Sequence, residues 1–231
     1  MRTIFVGDIH WCYDEFLWLL DKINYNKNYD KLYLTWDLIN KGPKAKELLD
    51  LLIDTPEIKS VIWNNEVNFI RYLKFKGVDI EKIGKWIKNY EILKSKGLFD
   101  KTYEKQNLLF ESYILNFSEK HIRYLLNLPL WIESKDWILL HWGLVPGKNL
   151  ESQTLDEITR IRDYNWKPWY KFYTWEKVII YWHWAADGLR IRENTKWLDS
   201  GCVYWKRLTA YIWETKEIIQ QSALNIYVDI D

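Results

Sequence analysis

Apolar positions in the first seventy residues follow two alternating periods. Thr3 to Val6 is a short apolar run of strand length, and Phe16, Leu19, Leu20 and Ile23 then recur at i, i+3, i+4 and i+7, the stripe of an amphipathic helix. Leu32 to Thr35 predicts a second strand, and Leu48, Leu49, Leu51 and Leu52 predict a second helix. Ser60 to Ile62 predict a third strand, followed by a helix carrying Val67, Phe69, Ile70 and Leu73. Strands alternating with helices of this length imply βαβ units and a largely parallel sheet. Residues 78–128 break the rhythm: they read as helical throughout, with Ser118 as the N-cap of a helix holding Ile122, Leu125 and Leu126. This stretch is expected to be a helical insertion on one side of the site, not a separate domain.

The second half reads as strands. Trp137 to His141, Val178 to His183, Val203 to Tyr204 and Leu208 to Trp213 are apolar or alternating, divided by Gly, Asp and Lys turns. They predict a second sheet packed on the first. The expected fold is α/β, two packed mixed β-sheets flanked by helices, with residues 1–231 forming one domain and 78–128 its insertion.

Composition narrows the function classes. Hydrophobic residues make up 48% and charged residues 28% of 231 residues, a soluble globular balance, and the formal net charge is +1. No basic field favours nucleic acid. No apolar run reaches membrane-spanning length, and Met1 to Val6 leads into an acidic motif without a signal-peptide core. With Cys12 and Cys202 far apart, these features make a cytoplasmic protein the expectation. Tryptophan is the outlier: there are 16 Trp and only 9 Gly, whereas ordinary usage predicts roughly 16 Gly.

Chemistry-bearing residues gather where predicted strands end. Gly7-Asp8-Ile9-His10-Trp11 follows the first strand, Trp36-Asp37 the second and Trp63-Asn64-Asn65-Glu66 the third; His141-Trp142-Gly143 and Trp182-His183 end two later strands. Catalytic groups of open α/β folds collect at carboxyl ends of strands. Asp8, His10, Asp37, Asn64, His141 and His183 are therefore expected at one edge of the molecule. Two carboxylates, three imidazoles and one amide oxygen suffice for two divalent ions sharing a carboxylate. Such mixed donors suit Mn²⁺, with Fe or Zn²⁺ as alternatives, better than an oxygen-only Mg²⁺ site.

In these motifs the chain resembles the calcineurin-like metallophosphoesterase superfamily, in the branch of symmetrical diadenosine tetraphosphatases and bacterial and phage serine/threonine protein phosphatases. That family's pattern is GDxHG, GDxxxRG, GNH(D/E), HxG and GH. Lys167-Pro168-Trp169-Tyr170 to His183-Trp184-Ala185 and Trp197 to Cys202 also read like this branch. The resemblance implies an αββα sandwich and hydrolysis of phosphoanhydride or phosphomonoester bonds by a metal-bridged hydroxide. Substrates would be a phosphorylated small molecule, a dinucleoside polyphosphate or a phosphoprotein. It assigns Asp8 and His10 to one ion, Asp37 to both, and Asn64, His141 and His183 to the other. The family's phosphate-binding Arg aligns with Lys41, which keeps the charge but loses the bidentate fork. A second phosphate-binding Arg would be Arg162, with Arg160 the alternative. Asn40 replaces an Asp of the family, and Asn65 stands where the family has the His that serves the leaving group.

The same resemblance implies glycine at positions 11, 36, 63 and 182, and Gly or another small residue at 142, 166, 175, 197 and 205. All nine are Trp here, whereas Trp169 and Trp184 match Trp in the family. Glycine permits φ > 0 and close backbone approach. The codons GGA and UGA differ by one base, and some bacterial lineages read UGA as glycine. Such readings at these positions would explain the Trp excess, the Gly shortage and their coincidence together; UGG codons at 11, 36, 63 and 182 would exclude it. The alternative is a chain that really carries Trp there, a decayed phosphatase fold acting as a non-catalytic binding module with an aromatic surface.

Overall fold

The computed structural model describes residues 1–7, 9–10, 12–35, 44–105, 107–181 and 188–227. Asp8, Trp11, Trp36, Asp37, Asn40, Lys41, Trp182, His183 and Trp184 lie outside the described residues.

The first half folds as its periodicity predicts. Strand β1 (Arg2–Gly7) leads to helix α1 (Tyr13–Lys22), β2 (Asp30–Thr35) to α2 (Ala45–Asp54), and β3 (Lys59–Ser60) to α3 (Asn64–Phe75). The third strand is shorter than Ser60–Ile62 predicts. Val61 and Ile62 leave the ladder because the Ile62 amide donates to the Pro129 carbonyl at 2.8 Å instead of to a strand. Residues 78–128 are not continuously helical either. It divides into α4 (Ile80–Gly84), α5 (Lys88–Ser95), α6 (Leu108–Asn116) and α7 (Glu119–Leu126). Gly97, at φ +95°, turns the chain after α5.

The second half contributes β4 (Trp131–Glu133), β5 (Trp137–Leu140), α8 (Leu155–Arg160), β6 (Asp163–Tyr164) and β7 (Lys167–Pro168). These are followed by β8 (Val178–Tyr181), β9 (Arg190–Ile191), β10 (Thr195–Trp197), β11 (Arg207–Ile212) and β12 (Ile218–Ser222). Two five-stranded sheets result, ordered β12-β11-β1-β2-β3 and β4-β5-β8-β10-β9. Both are mixed: β1 runs parallel to β2 and antiparallel to β11, and β5 runs antiparallel to β4 and parallel to β8.

Two expectations for this half need correction. Leu208 to Trp213 was assigned to the second sheet, but β11 pairs with β1 and completes the first, bringing β12 with it. Val203 to Tyr204 is not a strand: Tyr204 forms an isolated bridge to Ile226, and the Val203 carbonyl accepts from the Tyr227 amide at 3.1 Å.

The inner faces meet through aromatic side chains. Phe5 and Tyr33 stack at 5.5 Å, and both meet the edge of Trp137 at 4.9 Å. Ile4, Phe5 and Val6 are all fully buried, as expected of a central strand covered on both faces. Among the described residues no helix is long and apolar enough to cross a membrane.

Polar contacts fasten the helical stretch 78–128 to its neighbours. Arg71 of α3 is buried and donates to the Leu98 carbonyl at 2.7 Å and the Gly97 carbonyl at 3.1 Å, and it pairs with Asp156 of α8 at 3.3 Å. His121 of α7 is buried; its Nδ1 accepts from the Ser118 amide at 2.9 Å, closing the predicted N-cap. Its Nε2 therefore carries the proton shared with Asp50 of α2 at 3.0 Å. Lys120 and Lys46 also bond Asp50, and these three hydrogen bonds, that of Lys120 foremost, hold its carboxyl well below the ordinary value.

A depressed carboxyl stabilises the fold above its unfolded pKa, and that contribution fades as pH falls through the folded value. Asp50→Asn should therefore lower stability by about 1–2 kcal/mol at neutral pH. The gap to the parent should shrink below about pH 4, which urea melts at pH 7 and pH 3 would show.

Candidate metal-dependent phosphoesterase site

Two segments distant in sequence meet where α3 begins and β5 ends, and the end of β1 carries a third candidate ligand. His10 follows β1 and is buried, with φ +34°. The preceding strand end cannot carry a side chain, because a Cβ on Gly7 would lie 2.5 Å from the Leu198 carbonyl oxygen. The described backbone of the first motif therefore needs glycine for close approach.

Asn64 is the first residue of α3, reached from β3 through extended Trp63 at φ −131°. His141 follows β5 directly and is fully buried. Asn64 Oδ1 and His141 Nε2 face each other at 2.7 Å, joining groups 77 residues apart. Asn65 is the second residue of the same helix.

Aromatic rings enclose this pair. Trp63 is fully buried, with its ring centroid 4.1 Å from that of His141 and the planes tilted by 36°. Trp142 meets His141 edge-on at 5.6 Å. The Trp142 amide donates to the Ile158 carbonyl at 3.1 Å, fastening this loop to α8. Gly143 completes the motif at a point where a Cβ would fall 2.3 Å from Trp169 Nε1.

The two candidate arginines differ in setting. Arg162, just beyond α8, lays its guanidinium 4.7 Å from the Trp142 ring centroid, a cation–π contact beside the His141 motif. Arg160 instead donates to Asn68 Oδ1 at 2.6 Å and pairs with Asp156 at 3.5 Å, bridging α8 to α3.

Of the six candidate ligands, the structure thus brings Asn64 and His141 into contact and buries His10 at the end of β1. Asp8, Asp37 and His183, with Lys41, lie outside the described residues. A cavity of about 950 Å³ sits elsewhere, between β3, α5 and α7. It is lined by Lys59, Lys88, Lys120 and Arg123, and by none of the described candidate ligands.

The tryptophans divide into two kinds. Trp86, Trp166 and Trp205 have φ of +72°, +62° and +62°, the left-handed region also occupied by Gly77, Gly97, Gly147, Gly188 and Gly201. They are largely exposed, Trp166 completely. The resemblance implies Gly or another small residue at 166 and 205 and says nothing of 86; a positive φ is not visible in composition. At Trp63 the backbone is extended, so the departure from glycine there is one of volume alone.

A model of the calcineurin-like phosphoesterases matches residues 1–211. The chain belongs to the calcineurin-like phosphoesterase family. Similar relatives include the symmetrical bis(5′-nucleosyl)-tetraphosphatase of Vibrio campbellii, 26% identical over 97% of this chain and 100% of the relative. The Haemophilus ducreyi protein of that name is 27% identical over the same shares. A crystal structure of a candidate diadenosine tetraphosphatase superposes with a TM-score of 0.70 at 24% identity, covering 97% of this chain and 94% of that one. A protein serine/threonine phosphatase from Saccharomyces cerevisiae gives 0.52 at 13% identity, covering 97% and 81%. At these identities the solved structures establish the αββα sandwich. Membership in this phosphoesterase family makes the chain one of the metallophosphoesterase hydrolases, whose chemistry depends on divalent metal ions.

Proposed function

We propose that the chain is a binuclear-metal phosphoesterase that cleaves phosphoanhydride bonds of a dinucleoside polyphosphate. The observation that carries the reading is the part-buried Asn64–His141 pair at 2.7 Å, formed where the start of α3 meets the end of β5. Its amide oxygen and imidazole nitrogen, with the buried His10 imidazole, are donors of the type that Mn²⁺, Fe or Zn²⁺ accepts. The described donor set therefore fits the metals that the family implies.

In this reading Asp8 and His10 hold one ion, Asp37 both, and Asn64, His141 and His183 the other. Bound, the two ions would polarise the phosphoryl group and lower the pKa of an attacking water. The chain's own residues do the positioning. Trp142 meets the edge of His141 and also carries the Arg162 guanidinium. Arg162 and Lys41 supply positive charge for non-bridging phosphate oxygens. Arg160, engaged with Asn68 and Asp156, serves the α3–α8 interface instead.

Asn65 sets the substrate class. An amide cannot protonate a leaving group near neutral pH. A serine alkoxide needs that proton, whereas a nucleoside polyphosphate departs as a stabilised anion. The relatives named above as bis(5′-nucleosyl)-tetraphosphatases agree with this preference. With Mn²⁺ present, kcat/KM on diadenosine tetraphosphate is expected to exceed that on a phosphoserine peptide by about a hundredfold or more, the lower range of a general-acid contribution. Faster turnover of the peptide would overturn the assignment.

A second reading, the non-catalytic binding module, rests on Trp63. A fully buried indole packed on His141 occupies space beside a proposed ligand. Failure to bind Mn²⁺ and to hydrolyse any phosphate compound, even with glycine restored at 11, 36, 63 and 182, would favour it.

A further inference from the structure

The proposed mechanism leaves unused a second cluster of ligand-type side chains. Cys12 immediately precedes α1, Glu15 lies in the first turn of that helix, and Cys202 sits in the loop between β10 and β11. One donor atom from each lies within 4.8 Å of the other two, and all three residues are buried. The Cys12 carbonyl already accepts from the Phe16 amide at 2.9 Å, so Cys12 and Glu15 occupy successive positions on one helix face, three residues apart.

Glu15 points to an ion. Its Oε1 accepts from the Leu224 amide at 2.8 Å and from the Tyr227 hydroxyl at 2.9 Å, but its Oε2 is buried without a hydrogen-bond partner among the described residues. A buried carboxylate left half satisfied is costly. Packing alone would be served better by an apolar side chain, and fastening the C-terminal segment needs only Oε1. A cation shared with the two neighbouring sulfurs would use the remaining oxygen.

We propose that Cys12, Glu15 and Cys202 bind a thiophilic divalent ion of the Zn²⁺ class, at a structural site separate from the phosphoesterase centre. With Zn–S bonds of about 2.3 Å, tetrahedral sulfurs sit roughly 3.8 Å apart, so the cluster needs only a small contraction. Thiolate donors select Zn²⁺ over Mn²⁺. On binding, each thiol gives up its proton to solvent and two Zn–S bonds form, with no change of oxidation state. Two thiolates and a carboxylate against a doubly charged ion leave one net negative charge, placed at the positive end of the ten-residue α1. The ion would join the start of α1 to the loop that leads into β11, and through Glu15 to the segment containing Leu224 and Tyr227.

Cobalt tests this without relying on turnover. The folded full-length chain, titrated with Co²⁺, is expected to develop thiolate-to-cobalt charge-transfer absorption in the near ultraviolet. The His141→Ala variant should keep this band, and Cys12→Ser/Cys202→Ser should lose it. The phosphoesterase centre as proposed contains no sulfur, so its loading gives no such band and the two readings fail separately. Because replacing buried cysteines can loosen the fold, alkylation of the unsubstituted chain provides a second readout: Zn²⁺ should slow modification of both Cys12 and Cys202, followed by intact mass. A folded parent chain with no band at saturating Co²⁺, a band persisting in the double variant, or alkylation indifferent to Zn²⁺ would overturn the site.

Discussion

Restoring glycine at positions 11, 36, 63 and 182 is expected to raise Mn²⁺ affinity and phosphoesterase kcat/KM by at least tenfold, equivalent to about 1.4 kcal/mol. Trp63 supplies the physical reason. Its indole is fully buried and lies 4.1 Å from the His141 ring, so this imidazole is held between Trp63, Trp142 and Asn64. An ion drawing Asn64 and His141 to itself would have to displace that ring, and crowding of this kind typically costs about 1–3 kcal/mol. Glycine at 63 removes the obstruction without backbone strain, because φ there is −131°. A control separates activity from stability. Trp86, Trp166 and Trp205 lie in left-handed backbone and are largely solvent-exposed. Glycine at these three should raise stability by roughly 1 kcal/mol each and leave kcat/KM unchanged. Equal turnover of the four-glycine variant and the parent chain would show that the indoles do not obstruct the centre.

How far the sequence anticipated this arrangement depended on how local the signal was. Strands β1 and β2 follow from short apolar runs, and helices α1 and α2 from apolar positions at helical spacing, in consecutive residues. Sheet membership does not: β11 looks like any second-half strand, and only its antiparallel pairing with β1, some two hundred residues earlier, places it in the first sheet. Strand β12 was missed because Ile218–Ser222 is a half-exposed edge strand ending in Gln, Gln and Ser, with little apolar alternation. At the site, Asn64 and His141 were legible from their motifs. The distinction between Arg162 and Arg160 was not, because it rests on what each side chain packs against, Trp142 in one case and Asn68 in the other. Nor could spacing reveal that Cys12 and Cys202, far apart in sequence, share a buried cluster with Glu15.

Removing His141 should have the largest effect of any single substitution. His141→Ala is expected to lower Mn²⁺-dependent kcat/KM about a thousandfold, near 4 kcal/mol of transition-state stabilisation. Part of the reason is structural: the imidazole is fully buried, and its loss leaves the Asn64 amide oxygen without the 2.7 Å partner the fold gives it, a defect of about 1–3 kcal/mol. A stability loss alone would reproduce lower activity, so the decisive measurement is linkage. Mn²⁺ at a hundred times its dissociation constant should stabilise the unsubstituted chain by about 2.7 kcal/mol, seen as a rise in Tm. That increment should vanish in His141→Ala. Asn64→Asp, which keeps an oxygen donor at the same position, should retain much of it, and Asn64→Ala should lose it. If the Mn²⁺ increment survived in both His141→Ala and Asn64→Ala, these side chains would not hold the ion, and the 2.7 Å contact would be an ordinary part-buried hydrogen bond between α3 and the end of β5.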